Sequence, residues 1–405
     1  MNILKKPELL APAGNLDILK IALLYGADAI YCGSPKFAMR ARVGFDMKSL
    51  KEGIDYAHSL GKKVYLTVNA FPHSREIEDL KKHIEKTVEL NPDALIVADP
   101  GIVDYILKNF EIPVHLSTQA NTTNHLSAKF WQDRGVQRIV MARELSLKDI
   151  ALIHKDLPDF QIETFIHGAM CMAHSGRCQI SNYMTNRDPN KGACIQACRF
   201  KYKMYALEEE LRPGELFPIY EDEDGTHILN SKDLCMIEHI PELVKAGICS
   251  LKIEGRLKSE YYVATVVRAY RKAIDQYFES PRKYSLLKSE FKSEIEKSAN
   301  RGFTTGFYFD QPENNYESSK AEASWGYIGQ VINYNENTRT LKFEAKNYLP
   351  INSELEIITP RENYQYFLRE MTVKGESAEL AHANNIIEVK FDKSVPPDSL
   401  IRIKL

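Results

Sequence analysis

Over its first ~280 residues the chain repeats one unit: a short run rich in β-branched residues, a turn, then a stretch of helical periodicity. The runs fall at Glu8–Ala11, Ala29–Cys32, Lys63–Asn69, Ala94–Ala98, Val114–Thr118, Arg138–Ala142, Gln161–Ile166 and Ser250–Glu254. Between them apolar residues recur at helical spacing, as in Ile18, Ile21, Ala22, Tyr25 and again in Leu50, Ile54, Ala57, Leu60. Strands that alternate with helices run parallel, because only a crossover returns the chain to a parallel neighbour. Eight such units predict an α/β fold, a closed TIM-like (β/α)8 barrel over residues 1–298, rather than an open doubly wound sheet.

The seventh unit breaks the pattern. About 65 residues of weak periodicity separate Ile166 from the helix-like stretch that begins at Leu234. Usual βα connections are roughly 2–6 residues long. This insertion, residues 167–233, is rich in cysteine, and a loop after a barrel strand emerges at the C-terminal face, where active sites sit. Beyond about Trp325 the period changes to two, in Ile328–Ile332, Thr340–Glu344, Glu354–Ile358, Ile386–Lys390 and Leu400–Lys404, with turn signals at Asn335–Asn337 and Pro396–Asp398. That alternation predicts a second domain over 320–405, a small antiparallel β-barrel.

Five of the seven cysteines lie between Cys171 and Cys235. Clustered thiols in so long a chain read as metal ligands rather than as a disulfide framework. The spacing Cys171-x6-Cys178-x15-Cys194-x3-Cys198, with Cys235 further on, supplies more soft donors than one centre needs. Structural zinc favours paired knuckles of C-x(2–4)-C, which only Cys194 and Cys198 approach. An iron–sulfur cluster suits the irregular spacing better, and spacing alone leaves zinc open. Inert buried thiols are the bland reading, against which stand the glycine, serine and asparagine neighbours. Cys32 and Cys249, in apolar contexts beside strand ends, read as core, with Cys32 the one that keeps a chance of facing the site.

Polar residues at strand ends (Asn69, Asp99, Gln119, Glu144, Glu163, His167, Glu254 and Arg256) either line the barrel mouth or cap helices, as Asp99 before Pro100 suits. Arg199-Phe-Lys201-Tyr-Lys203 interleaves cations with aromatics, a pattern that grips phosphate and stacks bases, or simply one basic face of a strand. Arg40, Arg42 and Lys48 are candidates to extend it. The net charge of −2 means that a nucleic-acid partner must be met by such a local patch. Glu221–Asp224 reads as a solvated hairpin tip, and His58, His154 and His239 as surface or core histidines. No run approaches the roughly 18–20 apolar residues of a membrane span, and Met1–Lys6 has no apolar signal region, so the expectation is a cytoplasmic protein with no membrane partner.

The stretch Glu163-Thr-Phe165-Ile-His-Gly168-Ala-Met-Cys171, continued by Gly176-Arg-Cys178-Gln-Ile-Ser181, resembles the signature of the collagenase-like peptidase family. Glu8–Gly14, Asn230–Leu234, Ser250–Arg256 and the terminal β-domain extend the likeness over essentially the whole chain. Despite its name, the family includes proteins that hold a 4Fe-4S cluster and hydroxylate without molecular oxygen. The segment Asp188–Cys198 is most similar to the branch that acts on tRNA. The resemblance therefore implies a tRNA uridine hydroxylase that forms 5-hydroxyuridine at C5 of the wobble base. Prephenate is the implied small-molecule cosubstrate, and an electron-donor protein an implied partner.

It further implies that Cys171, Cys178 and Cys194 bind the cluster, with Cys198 or Cys235 as fourth ligand. Glu163, His167, Glu254 and Arg256 become the candidate catalytic residues, because they fall in the signature segments; Arg256 with Lys252 suits a carboxylate-bearing cosubstrate. Arg199, Lys201 and Lys203 become RNA-binding candidates. Three alternatives arise from the same residues: hydroxylation of ribosomal RNA or a quinone precursor, a collagenase-like peptidase, and a non-catalytic RNA-binding protein stapled by its cluster. No zinc-protease or serine-hydrolase motif is present, and thiols bound to metal are lost as nucleophiles. Cluster-free protein that degrades denatured collagen would favour the peptidase.

Overall fold

The computed structural model describes residues 5–38, 44–171, 173–199, 220–222, 225–227, 231–310 and 321–405. All eight predicted runs are strands: β1 Glu8–Pro12, β2 Ala29–Cys32, β3 Lys63–Val68, β4 Ala94–Val97, β5 Val114–Leu116, β6 Arg138–Val140, β7 Gln161–Ala169 and, later in the chain, β11 Ser250–Ile253. They pair in parallel from β1 through β7, and β11 pairs in parallel with both β7 and β1, which closes the barrel.

The crossovers are helices: α1 Leu16–Leu24, α2 Met47–Ser59, α3 Ile77–Val88, α4 Pro100–Asn109, α5 His125–Gln132 and α6 Leu147–Asp156. Most begin with a side chain that accepts from an otherwise orphan helical N–H, as Asn15, Asp46, Asn124 and Ser146 do. Asp99 is one of these caps, accepting from Gly101 and Ile102 ahead of Pro100, so its role is to start α4. Alternate strand residues such as Leu9, Ile30, Leu66, Val97, Leu116 and Ile139 face these helices and form the main core.

The barrel interior is divided. Leu10, Tyr31, Tyr65 and Ile96 pack an apolar cluster on the β1–β4 side. The opposite side is charged, with Glu163, Arg138, Ser250 and Lys252 on β7, β6 and β11.

After β7 come α7 Ile180–Thr185 and the antiparallel pair β8 Tyr220–Asp222 and β9 Gly225–His227; Glu221 and Asp222 of the acidic run lie on β8, and residues 223 and 224 lie outside the described residues. β10 Asp233–Cys235 then pairs antiparallel with the end of β7, and β12 Phe303–Thr304 pairs with β10. α8 Ile240–Lys245 leads into β11, which is followed by α9 Glu260–Glu279 and α10 Pro281–Glu296. The ladder between β7 and β11 has one irregularity. Lys252 pairs with Phe165, but the next residue, Ile253, pairs with His167, so β7 carries one extra residue at Ile166.

Residues 325–404 form a curled antiparallel sheet of eight strands with its own core of Leu341, Phe343, Leu355, Ile357, Ile387 and Ile401. A buried ionic group joins it to the barrel helices. Arg402, 0 % exposed, donates to Glu356 through Nε at 2.6 Å and to Glu294 of α10 at 2.9 and 3.0 Å. Arg268 of α9 donates to Glu294 at 2.8 Å and to the Thr359 carbonyl at 2.7 Å. Burial alone would raise the Glu294 carboxyl, but Arg402, Arg268 and Lys297 hold it down at about 2. No helix among the described residues is long and apolar enough to cross a membrane.

Candidate active site

The C-terminal ends of the strands open onto a cavity of about 550 Å³. Tyr31, Thr67, Ile96, Val140, Phe165 and Lys252 reach it from within the strands, and Asn69, Ser117 and Gln119 from just beyond them. Its other wall is the segment that follows β7, including Cys171, Ser175, Cys178, Cys194 and Cys198.

That segment has little regular structure, so its shape depends on side-chain ties to the barrel loops. Glu144, in the turn after β6, accepts from the Ser175 amide at 2.5 Å and from its hydroxyl at 3.3 Å. The same hydroxyl donates to Asn121 at 2.8 Å. Arg177 donates to the Gln119 carbonyl at 2.7 Å, and its guanidinium lies 5.1 Å from the Phe71 ring centroid. Asn190 brackets Cys178, donating to its carbonyl at 2.9 Å and accepting from its amide at 3.3 Å. Ser175 and Gln196 take left-handed backbone conformations, with φ of 51° and 61°, which turn the segment back on itself.

Four of the five clustered cysteines therefore share one cavity. Cys171 is exposed, and Cys178, Cys194 and Cys198 are half-buried. Cys235 is not with them. It lies on β10 in the apolar core, 8 % exposed, with Sγ 3.9 Å from the Tyr270 hydroxyl of α9. Burial pushes its thiol up to about 11, whereas a metal ligand must be a thiolate. Cys32 is wholly buried in the core, and Cys249 donates to the Ile162 carbonyl at 3.2 Å. Among the described residues no three Cys, His, Asp or Glu side chains stand close enough to hold a single metal ion. Four thiols lining one cavity are the donor number and softness that an iron–sulfur cluster takes, so the residues present fit such a group.

The cavity is cationic. Among the described residues Arg143, Lys252, Arg256, Lys258 and Arg301 line it with Glu254, Lys252 being paired with Glu163 and Arg301 with Asp233. Arg256, 6 % exposed, donates to Thr67 Oγ1 at 2.8 Å across the mouth. Gly33 makes room for that contact, since a Cβ there would stand 2.4 Å from the Thr67 hydroxyl. Arg143 lies 4.0 Å over the Phe165 ring and donates to the Ala169 carbonyl at 3.2 Å. Asn69 donates to Gln119 Oε1 at 2.7 Å, which leaves Gln119 Nε2 as the other end of that amide, buried and with no acceptor among the described residues.

Glu163 and His167 are placed differently from Glu254 and Arg256. Glu163 is fully buried inside the barrel, accepting from Lys252 at 2.8 Å, Arg138 at 3.1 Å and Ser250 at 3.1 Å. It reaches the cavity only through Lys252. Burial pushes the Lys252 ammonium down, and the Glu163 carboxylate offsets part of that because it is shared with Arg138. His167 points away from the cavity and packs among Tyr262, Tyr270 and Phe303, at ring-centroid distances of 5.9, 5.6 and 5.7 Å. Burial lowers its imidazole to about 3, so the ring is neutral at ordinary pH.

Lys201 and Lys203, the side chain of Arg199, and the pair Arg40 and Arg42 lie outside the described residues; Lys48 is exposed in the first turn of α2. Arg143, Lys258, Arg301, Tyr31 and Thr67 line the cavity without having been singled out in the sequence. Arg143 immediately precedes Glu144, so the rule that strand ends deliver site residues reaches it once both faces of the turn are considered.

Comparison with known proteins agrees with this architecture. The model of peptidase family U32 matches residues 14–318, and that of the family's C-terminal domain matches residues 323–402. "tRNA hydroxylation protein P" of Escherichia coli is 39% identical over 93% of this chain and 91% of its own length. "tRNA hydroxylation protein P1" of Bacillus subtilis is 38% identical over 99% of this chain and 95% of its own. "23S rRNA 5-hydroxycytidine C2501 synthase" of Escherichia coli is 37% identical over 74% of this chain and 45% of its own.

Proposed function

The chain belongs to peptidase family U32, and from that membership we propose that it is a tRNA-hydroxylating enzyme. The Escherichia coli and Bacillus subtilis relatives named tRNA hydroxylation protein P and P1 align over more than nine-tenths of both partners, whereas the ribosomal-RNA synthase is matched over less than half of its own length. In its finer form the reading is a cluster-dependent, oxygen-independent hydroxylation of C5 of the wobble uridine, with prephenate as cosubstrate. The observation that carries it is that four thiols and five cations line a single cavity at the barrel mouth.

Cys171, Cys178, Cys194 and Cys198 would hold a 4Fe-4S cluster, which supplies one-electron chemistry when bound. The remaining roles belong to the chain's own groups. Among the described lining residues the cations still outnumber the carboxylates once Glu163 is set against Lys252 and Asp233 against Arg301, which favours a ligand that brings negative charge, such as a dicarboxylate. Arg256, which donates to Thr67, carries the planar guanidinium that suits a carboxylate, and Lys252, held by Glu163, forms the floor. The rings of Tyr31 and Phe165 hold Lys252 and Arg143 over the cavity, at 4.3 and 4.0 Å from their centroids. Gln119 Nε2 is a donor in search of an acceptor, as a pyrimidine carbonyl would be. A wobble base is unpaired in the anticodon loop, so extruding it into a pocket costs little.

Mass analysis of tRNA nucleosides tests the reading directly. A strain lacking the gene is expected to lose 5-hydroxyuridine and its derivatives, and the wild-type gene to restore them; undiminished hydroxylated uridine in the deletion strain would sink the proposal. Arg256→Lys keeps the charge and loses the paired geometry. The prephenate concentration for half-maximal hydroxylation should then rise by roughly 10- to 100-fold, the worth of one charge-assisted hydrogen bond. An unchanged requirement removes Arg256 from cosubstrate binding.

A further inference from the structure

Beside the cavity lies a second opening, a groove of about 500 Å³ between the turns after β2 and β3 and the helix α3. Its cations are Lys36, Lys82, Lys86 and Lys191, and its flat surfaces are Phe37, Phe71 and His83. Two carboxylates also line it, Glu76 and Asp79. Lys191 is spoken for, because it meets Glu76 at 2.6 Å. Lys36, Lys82 and Lys86 are exposed and have no ion-pair partner among the described residues. Lys82 and Lys86, four residues apart on α3, point from the same helical face.

The groove and the cavity share a wall. Pro189 and Gly192 line the cavity, while Lys191 between them lines the groove. The Phe71 amide donates to the Asn190 carbonyl at 3.4 Å, and Arg177, which ties the cysteine segment to the barrel, stands over the Phe71 ring. The Phe37 and His83 rings are 5.6 Å apart, and His83 Nε2 is 3.2 Å from Ser34 Oγ, so these surfaces are fixed in place.

A base delivered into the cavity stays attached to its strand, and the strand has to leave over the rim. A rim that offers uncommitted ammonium groups and aromatic faces meets both demands of single-stranded RNA, phosphate neutralisation and stacking. Resting on the tRNA-hydroxylase reading, the geometry points to this groove as the track for the nucleotides that flank the target base, with Lys36, Lys82 and Lys86 against phosphates and the rings of Phe37 and Phe71 beneath a neighbouring base. An acidic protein segment would use the lysines and leave the rings idle, so RNA is the occupant that accounts for both.

The test is tRNA binding to the full-length holoprotein across a salt series. Lys82→Glu/Lys86→Glu should weaken binding at low salt by more than about 10-fold and flatten the plot of log affinity against log salt by about 1.4, two phosphate contacts at the single-strand slope. Iron content and melting temperature should stay as in the wild type. Arg282→Glu/Lys283→Glu makes the same charge change on α10, which lines neither opening, and should cost at most a few-fold. Equal losses in both double variants, or an unchanged affinity and slope in the first, overturn the assignment. If the wild type binds tRNA and Lys82→Glu/Lys86→Glu binds it equally well, only the groove falls and an acidic protein becomes its better occupant. If the wild type itself binds no tRNA, the functional reading falls with it.

Discussion

Serine at Cys171, Cys178, Cys194 or Cys198 is expected to abolish tRNA hydroxylation and to strip iron and sulfide from anaerobically purified protein, whereas Cys235→Ala should keep the full iron content. The contrast rests on placement. The first four thiols line the cavity, while Cys235 is enclosed by the core with its sulfur 3.9 Å from the Tyr270 hydroxyl. To ligate iron, Cys235 would have to become a thiolate in an environment that pushes its pKa up to about 11, and then cross from the outer face of β10 to the barrel mouth. Its removal should register only as core truncation, about 1 kcal/mol of stability. Colourimetric iron and sulfide per chain, read beside the visible absorption, separate the outcomes. Iron retained in Cys198→Ser and lost in Cys235→Ala would reverse the ligand assignment. Stoichiometric zinc in place of iron in the wild type would remove the cluster altogether.

How the sequence foretold some of this and not the rest has physical causes. The barrel was legible because each unit carries its own signals: β-branched runs for the strands and Asn, Asp or Ser where helices start. The curled terminal sheet was legible from period two, and Thr340–Ala345 alternates half-buried and buried residues as that period demands. Membership of the site was legible only where alternation holds. Glu163 and Phe165 face the barrel interior, so counting by twos carries His167 inward as well. The extra residue at Ile166 breaks the count: Ile166 and His167 both fall outside the cavity, the ring of His167 among Tyr262, Tyr270 and Phe303. A bulge leaves no compositional trace.

Gly168, two residues on, is the nearest signal. Its φ of +107° and the Glu254 carbonyl 2.6 Å from where a Cβ would sit mark a backbone that has departed from a regular strand. The cationic lining was hidden for a different reason. Arg143 and Arg301 are far apart in sequence, and only closure of the barrel and the pairing of β10 with β12 bring them to one cavity.

Glu163→Ala is expected to destabilise the protein by roughly 3–5 kcal/mol, among the largest single-residue effects in this fold, because it leaves buried charge without its partner. Lys252 Nζ has Glu163 as its only carboxylate contact among the described residues, at 2.8 Å. Arg138 would keep Glu8 at 2.6 Å. Glu163→Gln retains the shape and should cost less, and Glu163→Gln/Lys252→Met removes both charges and should be the least destabilised of the three.

The pH dependence has a definite sign. Burial would raise the Glu163 carboxyl, but Lys252 and Arg138 hold it at about 2 against 4.5 for a free glutamate. A depressed carboxyl stabilises the fold above its unfolded value, so this contribution is intact above about pH 4.5 and is lost as the pH falls toward 2. Urea unfolding from pH 7 down to 2.5 should therefore show a steeper acid loss in the wild type than in Glu163→Gln/Lys252→Met. Parallel curves, or Glu163→Ala as stable as the wild type, would mean that the carboxylate inside the barrel holds nothing in place. Because Glu163 reaches the cavity only through Lys252, Glu163→Gln should also lower hydroxylation while leaving iron content intact, as expected of a residue that positions the ammonium at the cavity floor.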